Sequence, residues 1–170
     1  MGILNATPDS FSDGGRYSLT YQALGRAMEM VEEGARIIDI GGESTRPGAR
    51  AIDAAEEIER TVPIIKALRA ESDILISIDT SKAAVAEAAI EAGADIVNDV
   101  TGMRDAKMVR LCCDAGVGVC VMHMQGEPRT MQQNPCYDEQ GGVVSAINAF
   151  FAERLASLEA SGMNPDFICL

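Results

Sequence analysis

The chain has 170 residues, enough for one domain with a real core. Hydrophobic residues make up 47% and charged residues 24%, the balance of an ordinary globular protein, and no apolar run approaches the roughly 18 residues of a membrane span. A net charge of −12, from 26 acids against 14 bases, repels nucleic acid and anionic lipid, so neither is an expected partner. An anionic substrate would need a local remedy: a metal ion, an arginine or backbone N–H groups.

One unit recurs along the chain: a short apolar run, a polar Gly- or Ser-rich loop, then an Ala-rich amphipathic stretch. The first run, Ile3-Leu4, ends in Asn5 and is followed by Thr7-Pro8-Asp9-Ser10-Phe11-Ser12-Asp13-Gly14-Gly15. A helix is predicted over Tyr21 to Glu33, with Leu24, Ala27, Met28 and Val31 on one stripe. Arg36 to Ile40 reads as the second strand, and Gly41-Gly42-Glu43-Ser44-Thr45-Arg46-Pro47-Gly48 follows it. Asp53, with Glu56 three residues on, caps a helix carrying Ile58, Val62, Ile65 and Leu68. Pro63 should kink that helix or begin a new turn.

Ile74 to Ile78 is the third strand and runs out into Asp79-Thr80. Ser81 to Ala92 reads as a helix stopped by Gly93. Asp95 to Asn98, helix Asp105 to Ala115, strand Val117 to Met122, helix Val143 to Ala160 and a last run from Phe167 complete the order. The unalternating, β-branched runs suit strands buried on both faces. Strict alternation of strand and helix means a parallel sheet, either doubly wound or closed as a (β/α)8 barrel. A complete barrel usually needs ~250 residues, so six strands and five helices read as a single domain over 1–170 that is incomplete at its C-terminus.

Five cysteines without a Cys-x-x-Cys pair read as buried thiols of a reducing cytoplasm, and the lone His123 makes a poor metal site. The charged-then-apolar start of a secreted chain is not seen. Parallel α/β folds bind ligands at the C-terminal ends of their strands, and every run here ends in polar residues. Asp39, Asp79 and Asn98 even sit inside apolar runs, where burial costs free energy unless a partner satisfies them. Carboxylates and an amide in that position suit a flat, nitrogen-rich heterocycle. The two long loops suit lids with N–H groups for an anion, and Arg46 suits a phosphate or carboxylate. Both loops are expected to be mobile without ligand and to order on binding.

The segments Met1 to Gly15 and Ile38 to Ala49 resemble the two signatures of bacterial dihydropteroate synthases. Ser77-Ile78-Asp79-Thr80-Ser81, Ile96-Val97-Asn98-Asp99-Val100 and Met122-His123-Met124-Gln125-Gly126 match further family segments in order, so the resemblance covers the whole chain. It implies a (β/α)8 TIM-type barrel, here about β1–β6, representing the N-terminal two-thirds of the enzyme. It implies a transferase of folate biosynthesis, in which 4-aminobenzoate displaces diphosphate from (7,8-dihydropterin-6-yl)methyl diphosphate. Asn5 then matches the ligand of Mg²⁺, Thr45 a contact beside the diphosphate, and Asp79 and Asn98 a pterin-binding pair with Met122 in the same pocket. Phe11, Arg46 and Pro47 match residues shaping the 4-aminobenzoate pocket, with Asp9 and Asp13 in the closing loop. No acid–base residue or nucleophile is assigned.

Ala6 stands where the family usually has Val, and the family's later pterin and diphosphate residues lie beyond Leu170. The full enzyme is expected to be a cytoplasmic homodimer. Two other readings are another pterin-binding barrel, such as a methyltetrahydrofolate-dependent methyltransferase, and a non-catalytic pterin-binding protein. Expressed alone, residues 1–170 are expected to be inactive and not to fold as a stable monomer, because closing the sheet needs further strands. A monodisperse, cooperatively unfolding monomer that releases diphosphate from both substrates with Mg²⁺ would refute this.

Overall fold

The computed structural model describes residues 1–6, 16–44, 51–127, 130–131, 134–138 and 141–170, with the side chains of residues 16–18 set aside. The elements are β1 (Gly2–Asn5), α1 (Arg16–Glu32), β2 (Ile37–Gly41), α2 (Ala54–Glu71), β3 (Leu75–Asp79) and α3 (Ala83–Glu91). Then come β4 (Ile96–Asp99), α4 (Ala106–Ala115), β5 (Gly118–Val121), α5 (Val143–Ala160), a 3₁₀ turn at Pro165–Phe167 and β6 (Ile168–Cys169). Among these residues no helix is long and apolar enough to cross a membrane.

The strands lie in the order β1-β2-β3-β4-β5-β6, every neighbour parallel. That order decides between the two parallel architectures. A doubly wound sheet reverses its strand order at a switch point, whereas a (β/α) barrel adds each strand beside the last. No reversal occurs among the described strands, so the fold is of the barrel type.

Burial on both faces, as expected, holds through the middle of β2, β3 and β4, but the two faces differ in polarity. The pleat separates two unlike surfaces. Leu4, Ile38, Ile40, Ile76, Ile78, Val97, Val119 and Val121 point to the helices and are buried, forming one core with Ile64, Ile65, Leu68, Val85 and Met108. The concave face carries Asn5, Asp39, Ser77, Asp79 and Asn98 instead, with Ile3 and Leu75 exposed at its lower end. A short apolar run hides this alternation because concave-facing Ile37 and Ile96 are apolar as well. The cysteines are likewise not all buried. Cys112 on α4 is, and burial pushes its thiol up to about 12, but Cys120 is half-buried and Cys136 and Cys169 are exposed.

The helix boundaries follow their caps. Asp53 accepts a hydrogen bond from the Glu56 amide at 2.8 Å, and Asp105 does the same for Lys107 at 2.9 Å. α4 ends on Gly116 in the left-handed conformation. α2 runs unbroken from Ala54 to Glu71 through Pro63, so no new helix begins there. Burial of Ile64, Ile65 and Leu68 just beyond the proline holds the helix on the sheet where propensity alone would favour a stop.

At the lower end of the sheet one ion pair joins three elements. Arg69, near the end of α2, meets Asp95 at 2.5 Å, and the same Asp95 oxygen accepts from the Ile76 amide of β3 at 2.8 Å. The guanidinium also donates to the Gly93 carbonyl at 2.9 Å and the Ile74 carbonyl at 2.9 Å. It thereby satisfies carbonyls at the entry to β3 and the exit of α3. Arg69→Met keeps the stem and removes these bonds. Urea unfolding of the full-length protein should show a loss of about 2 kcal/mol with an unchanged slope.

Candidate functional site

The register aligns one residue of each strand into a top layer on the concave face: Asn5, Gly41, Asp79, Asn98, Cys120 and Cys169. Asp39 and Ser77 lie one step down. The Asn98 side-chain amide reaches across β3 and donates to Asp39 Oδ2 at 3.1 Å. Three buried atoms then have no hydrogen-bond partner among the described residues: Asp39 Oδ1, Ser77 Oγ and Asn98 Oδ1. Each such atom costs about 1–3 kcal/mol when left dry. Three together on one concave face mark a place that a ligand's own polar groups complete.

Electrostatics single out the same spot. Burial, and then the carboxylates of Asp39, Glu57 and Asp99, push the Asp79 carboxyl up to about 7. Burial likewise raises Asp39, against the help of the neighbouring Ser77 and Asn98 side chains. Gly41 keeps this layer open. A Cβ there would sit 3.4 Å from Asp79 Oδ2, between Asp79 and Asn5.

Above the layer is a cleft of about 390 Å³. Asp79, Thr80 and Ser81 line it from β3, Glu43, Ser44 and Glu57 from the β2–α2 side, Val100, Thr101 and Arg104 from β4, and Met124, Gly126 and Glu127 from β5. Arg104 is steadied by the Phe150 ring, 5.4 Å from its guanidinium carbon, and by the Met124 carbonyl at 3.4 Å. Asp99, one residue from Asn98, points the other way. It accepts from the Thr101 and Met103 amides at 2.8 and 2.9 Å and so shapes the chain leaving β4. Within that turn Gly102 has a φ of +78° and no room for a Cβ, which would lie 2.8 Å from the Met122 carbonyl oxygen.

Of the residues singled out by sequence, Asp79 and Asn98 are direct in-register neighbours, and exposed Asn5 shares their layer two strands from Asp79. Met122 is half-buried just past β5, and Met124, two residues on, lines the cleft. Thr45, Arg46, Pro47, Phe11, Asp9 and Asp13 lie outside the described residues, as does most of both long loops. His123 packs among aromatic rings, edge-on to Phe150 at 5.0 Å and near Tyr137 and Phe151.

Sequence reasoning groups Asp39 with Asp79 and Asn98 as costly polar groups in apolar runs without giving it a role of its own, and it misses Ser77, Glu57, Lys82 and Arg104. Period two from Asp79 reaches back to Ser77 and would find it. Glu57 offers no signal, because an acid in the first turn of a helix ordinarily faces water. Among the described residues no three His, Cys, Asp or Glu side chains gather to hold a metal. The Asn5 amide oxygen is a hard donor, suited to a cation that keeps water and substrate oxygens in most of its shell.

The family described as pterin binding enzyme matches residues 1–170. The chain is 42% identical over 170 residues to the dihydropteroate synthase of Escherichia coli strain K12, covering 100% of this chain and 59% of that protein. The crystal structure of a Clostridium difficile dihydropteroate synthase in the presence of pteroic acid superposes with a TM-score of 0.89 and 44% identity, over 99% of this chain and 61% of that one. The Xanthomonas albilineans dihydropteroate synthase with 4-aminobenzoic acid gives 0.87 and 40%, over 99% and 58%. The chain thus spans about three-fifths of the length of these relatives, and with its full extent matched it belongs to the pterin binding enzyme family.

Proposed function

We propose that this chain forms the pterin-binding part of a dihydropteroate synthase, which joins (7,8-dihydropterin-6-yl)methyl diphosphate to 4-aminobenzoate with release of diphosphate. The observation that carries the reading is the top layer of the concave face. Asp79 and Asn98 stand side by side there, over acceptors at Asp39 and Asn98 that no donor among the described residues reaches. A pterin edge offers ring N–H and amino donors to those acceptors, and ionised Asp79 gains a partner that repays its desolvation. The chain's similarity to the E. coli enzyme, and to structures obtained with pteroic acid and with 4-aminobenzoic acid, supports the same assignment.

In this reaction the amine nitrogen of 4-aminobenzoate bonds to the exocyclic CH₂ carbon, the carbon–oxygen bond to diphosphate breaks with its electron pair on oxygen, and the amine's surplus proton leaves to water or diphosphate. The pterin ring supplies electron density to the carbon, so the protein's work is to orient the ring and receive the leaving group. Asp79 and Asn98 orient it. Asn5 would supply one oxygen ligand to Mg²⁺, which neutralises diphosphate charge when bound. Thr45 would touch the substrate beside the diphosphate, and Phe11, Arg46 and Pro47 would shape the 4-aminobenzoate pocket. Asp9 and Asp13 would belong to its closing loop, and Met122 to the pterin pocket. The reading extends to a cytoplasmic, homodimeric full-length enzyme.

The methyltransferase and non-catalytic alternatives have no observation in their favour that the synthase lacks. Asp79→Asn tests the reading through two opposed effects. Loss of the carboxylate leaves ring N–H groups unpaired, costing about 1–3 kcal/mol, or roughly 5- to 150-fold in affinity, by calorimetry with 6-hydroxymethylpterin. Stability should move the other way. A carboxyl whose folded value is about 7 against an ordinary 3.8 loses its stabilising contribution as pH rises between the two, so the neutral amide gains over that window. Urea unfolding should show Asp79→Asn equal to the parent near pH 4 and about 1–3 kcal/mol more stable at pH 8, the figure reduced for partial solvent access.

A further inference from the structure

Beside the cleft lies an ionic cluster that the reaction as described does not use. Lys82, between β3 and α3, places its ammonium on Glu57 of α2 at 2.5 Å and on Glu43 of the segment leaving β2. The Glu57 side chain is only 1% exposed, whereas Lys82 and Glu43 keep 27% and 25%. A buried ion pair gains little stability over apolar residues of the same size, because desolvation offsets most of the attraction. A leucine at position 57 would hold α2 to the sheet as well. What apolar residues would not provide is a fixed place for Glu43.

That place is over-determined. Gly42, beside Glu43, rests on α2 so closely that a Cβ would lie 2.9 Å from both Glu57 Cγ and Thr61 Cγ2. The Arg60 guanidinium donates to the Gly42 carbonyl at 2.9 Å while pairing with Glu56. Lys82 then draws Glu43 toward the chain that has just left Asp79. The segments leaving β2 and β3 meet at one nitrogen atom, and Glu43, Glu57 and Asp79 all line the same cleft.

We propose that Lys82 is a positioning residue of the pterin site: shared between Glu43 and buried Glu57, it locks the segment leaving β2 against the segment leaving β3 and sets the charge that Asp79 experiences. The proposal rests on the pterin reading above. Among the described residues the charges that act on Asp79 are those of Asp39 on β2, Glu57 on α2 and, from the opposite side of β4, Asp99, and Glu57 is the one that Lys82 neutralises directly.

The test uses the full-length protein with Lys82→Met, Lys82→Arg and Glu57→Gln. Calorimetry with 6-hydroxymethylpterin between pH 5.5 and 9 reads affinity, and hydrogen exchange without ligand reads the Glu43 and Ser44 amides. In the parent, affinity should fall as pH drops through about 7, where Asp79 takes up a proton. Glu57→Gln, nearly isosteric, removes a negative charge facing Asp79 and should lower that midpoint by about half a pH unit. Lys82→Met should weaken binding at pH 8 roughly tenfold and speed exchange at Glu43 and Ser44, with Lys82→Arg within about threefold of the parent.

A folded Lys82→Met that binds within about twofold of the parent, or a Glu57→Gln midpoint that does not move, overturns the proposal. If Lys82→Met does not fold, Glu57→Gln decides alone. If the parent itself ignores the probe, the pterin reading fails instead, and ligand-free exchange at Glu43 and Ser44 in Lys82→Met then decides the lock by itself.

Discussion

Parallel strands that pair without a register offset carry equivalent residues to the same face, level with one another. Here that constraint sets Asn5, Gly41, Asp79, Asn98, Cys120 and Cys169 in one row across six strands, although the two ends of the row come from opposite ends of the chain. Slipping one strand by a single residue would turn its polar group into the helix layer and present an isoleucine or valine to the cleft. The register is secured from the other side, by the aliphatic side chains that α2, α3 and α4 cover. The helix-facing core thus fixes a polar row to which it contributes no atom.

The row is costly to hold. Asp39, Asp79 and Glu57 bring carboxylates into a partly dry space within a chain of net charge −12, and among the described residues only Glu57 of the three has a cation paired with it. Lys82 serves the two glutamates, and Arg104 lies over Phe150. A neutral heterocycle with several N–H donors relieves such a site better than an anion would. The anionic part of a substrate would have to be received outside the Asp79–Asn98 pair. Stability and ligand affinity thereby pull Asp79 in opposite directions, a common condition of binding groups.

Much of the architecture is legible from residue order, and for identifiable reasons. Alternation of runs and helices sets the parallel class, and Asp53, Asp105 and Gly116 mark helix ends because capping is a local interaction. Asp79 and Asn98 stand out because a polar residue closing an apolar strand is costly to bury unless something binds it. The choice between an open and a barrel-type sheet is not local, and needs strand order or a family resemblance. The sidedness of the strands is obscured by apolar residues on both faces at the lower end, such as Ile37 and Ile96. Pro63 misleads because its intrinsic effect is visible in the sequence, whereas the burial of Ile64, Ile65 and Leu68 that overrides it is not. Glu57 and Lys82, 25 residues apart, become a pair only once α2 lies on the sheet.

Asn98 and Asp99 show the effect of a pleat with two unlike faces. One peptide bond separates a side chain on the concave face, bonded to Asp39, from one that ties down the Thr101–Met103 turn. Ile78 and Asp79 divide in the same way, as do Ile38 and Asp39. Neighbouring codons in these strands therefore answer to different selective pressures. A substitution map of any one of them would resemble a comb, with teeth that lower the yield of folded protein alternating with teeth that spare the yield and silence the site.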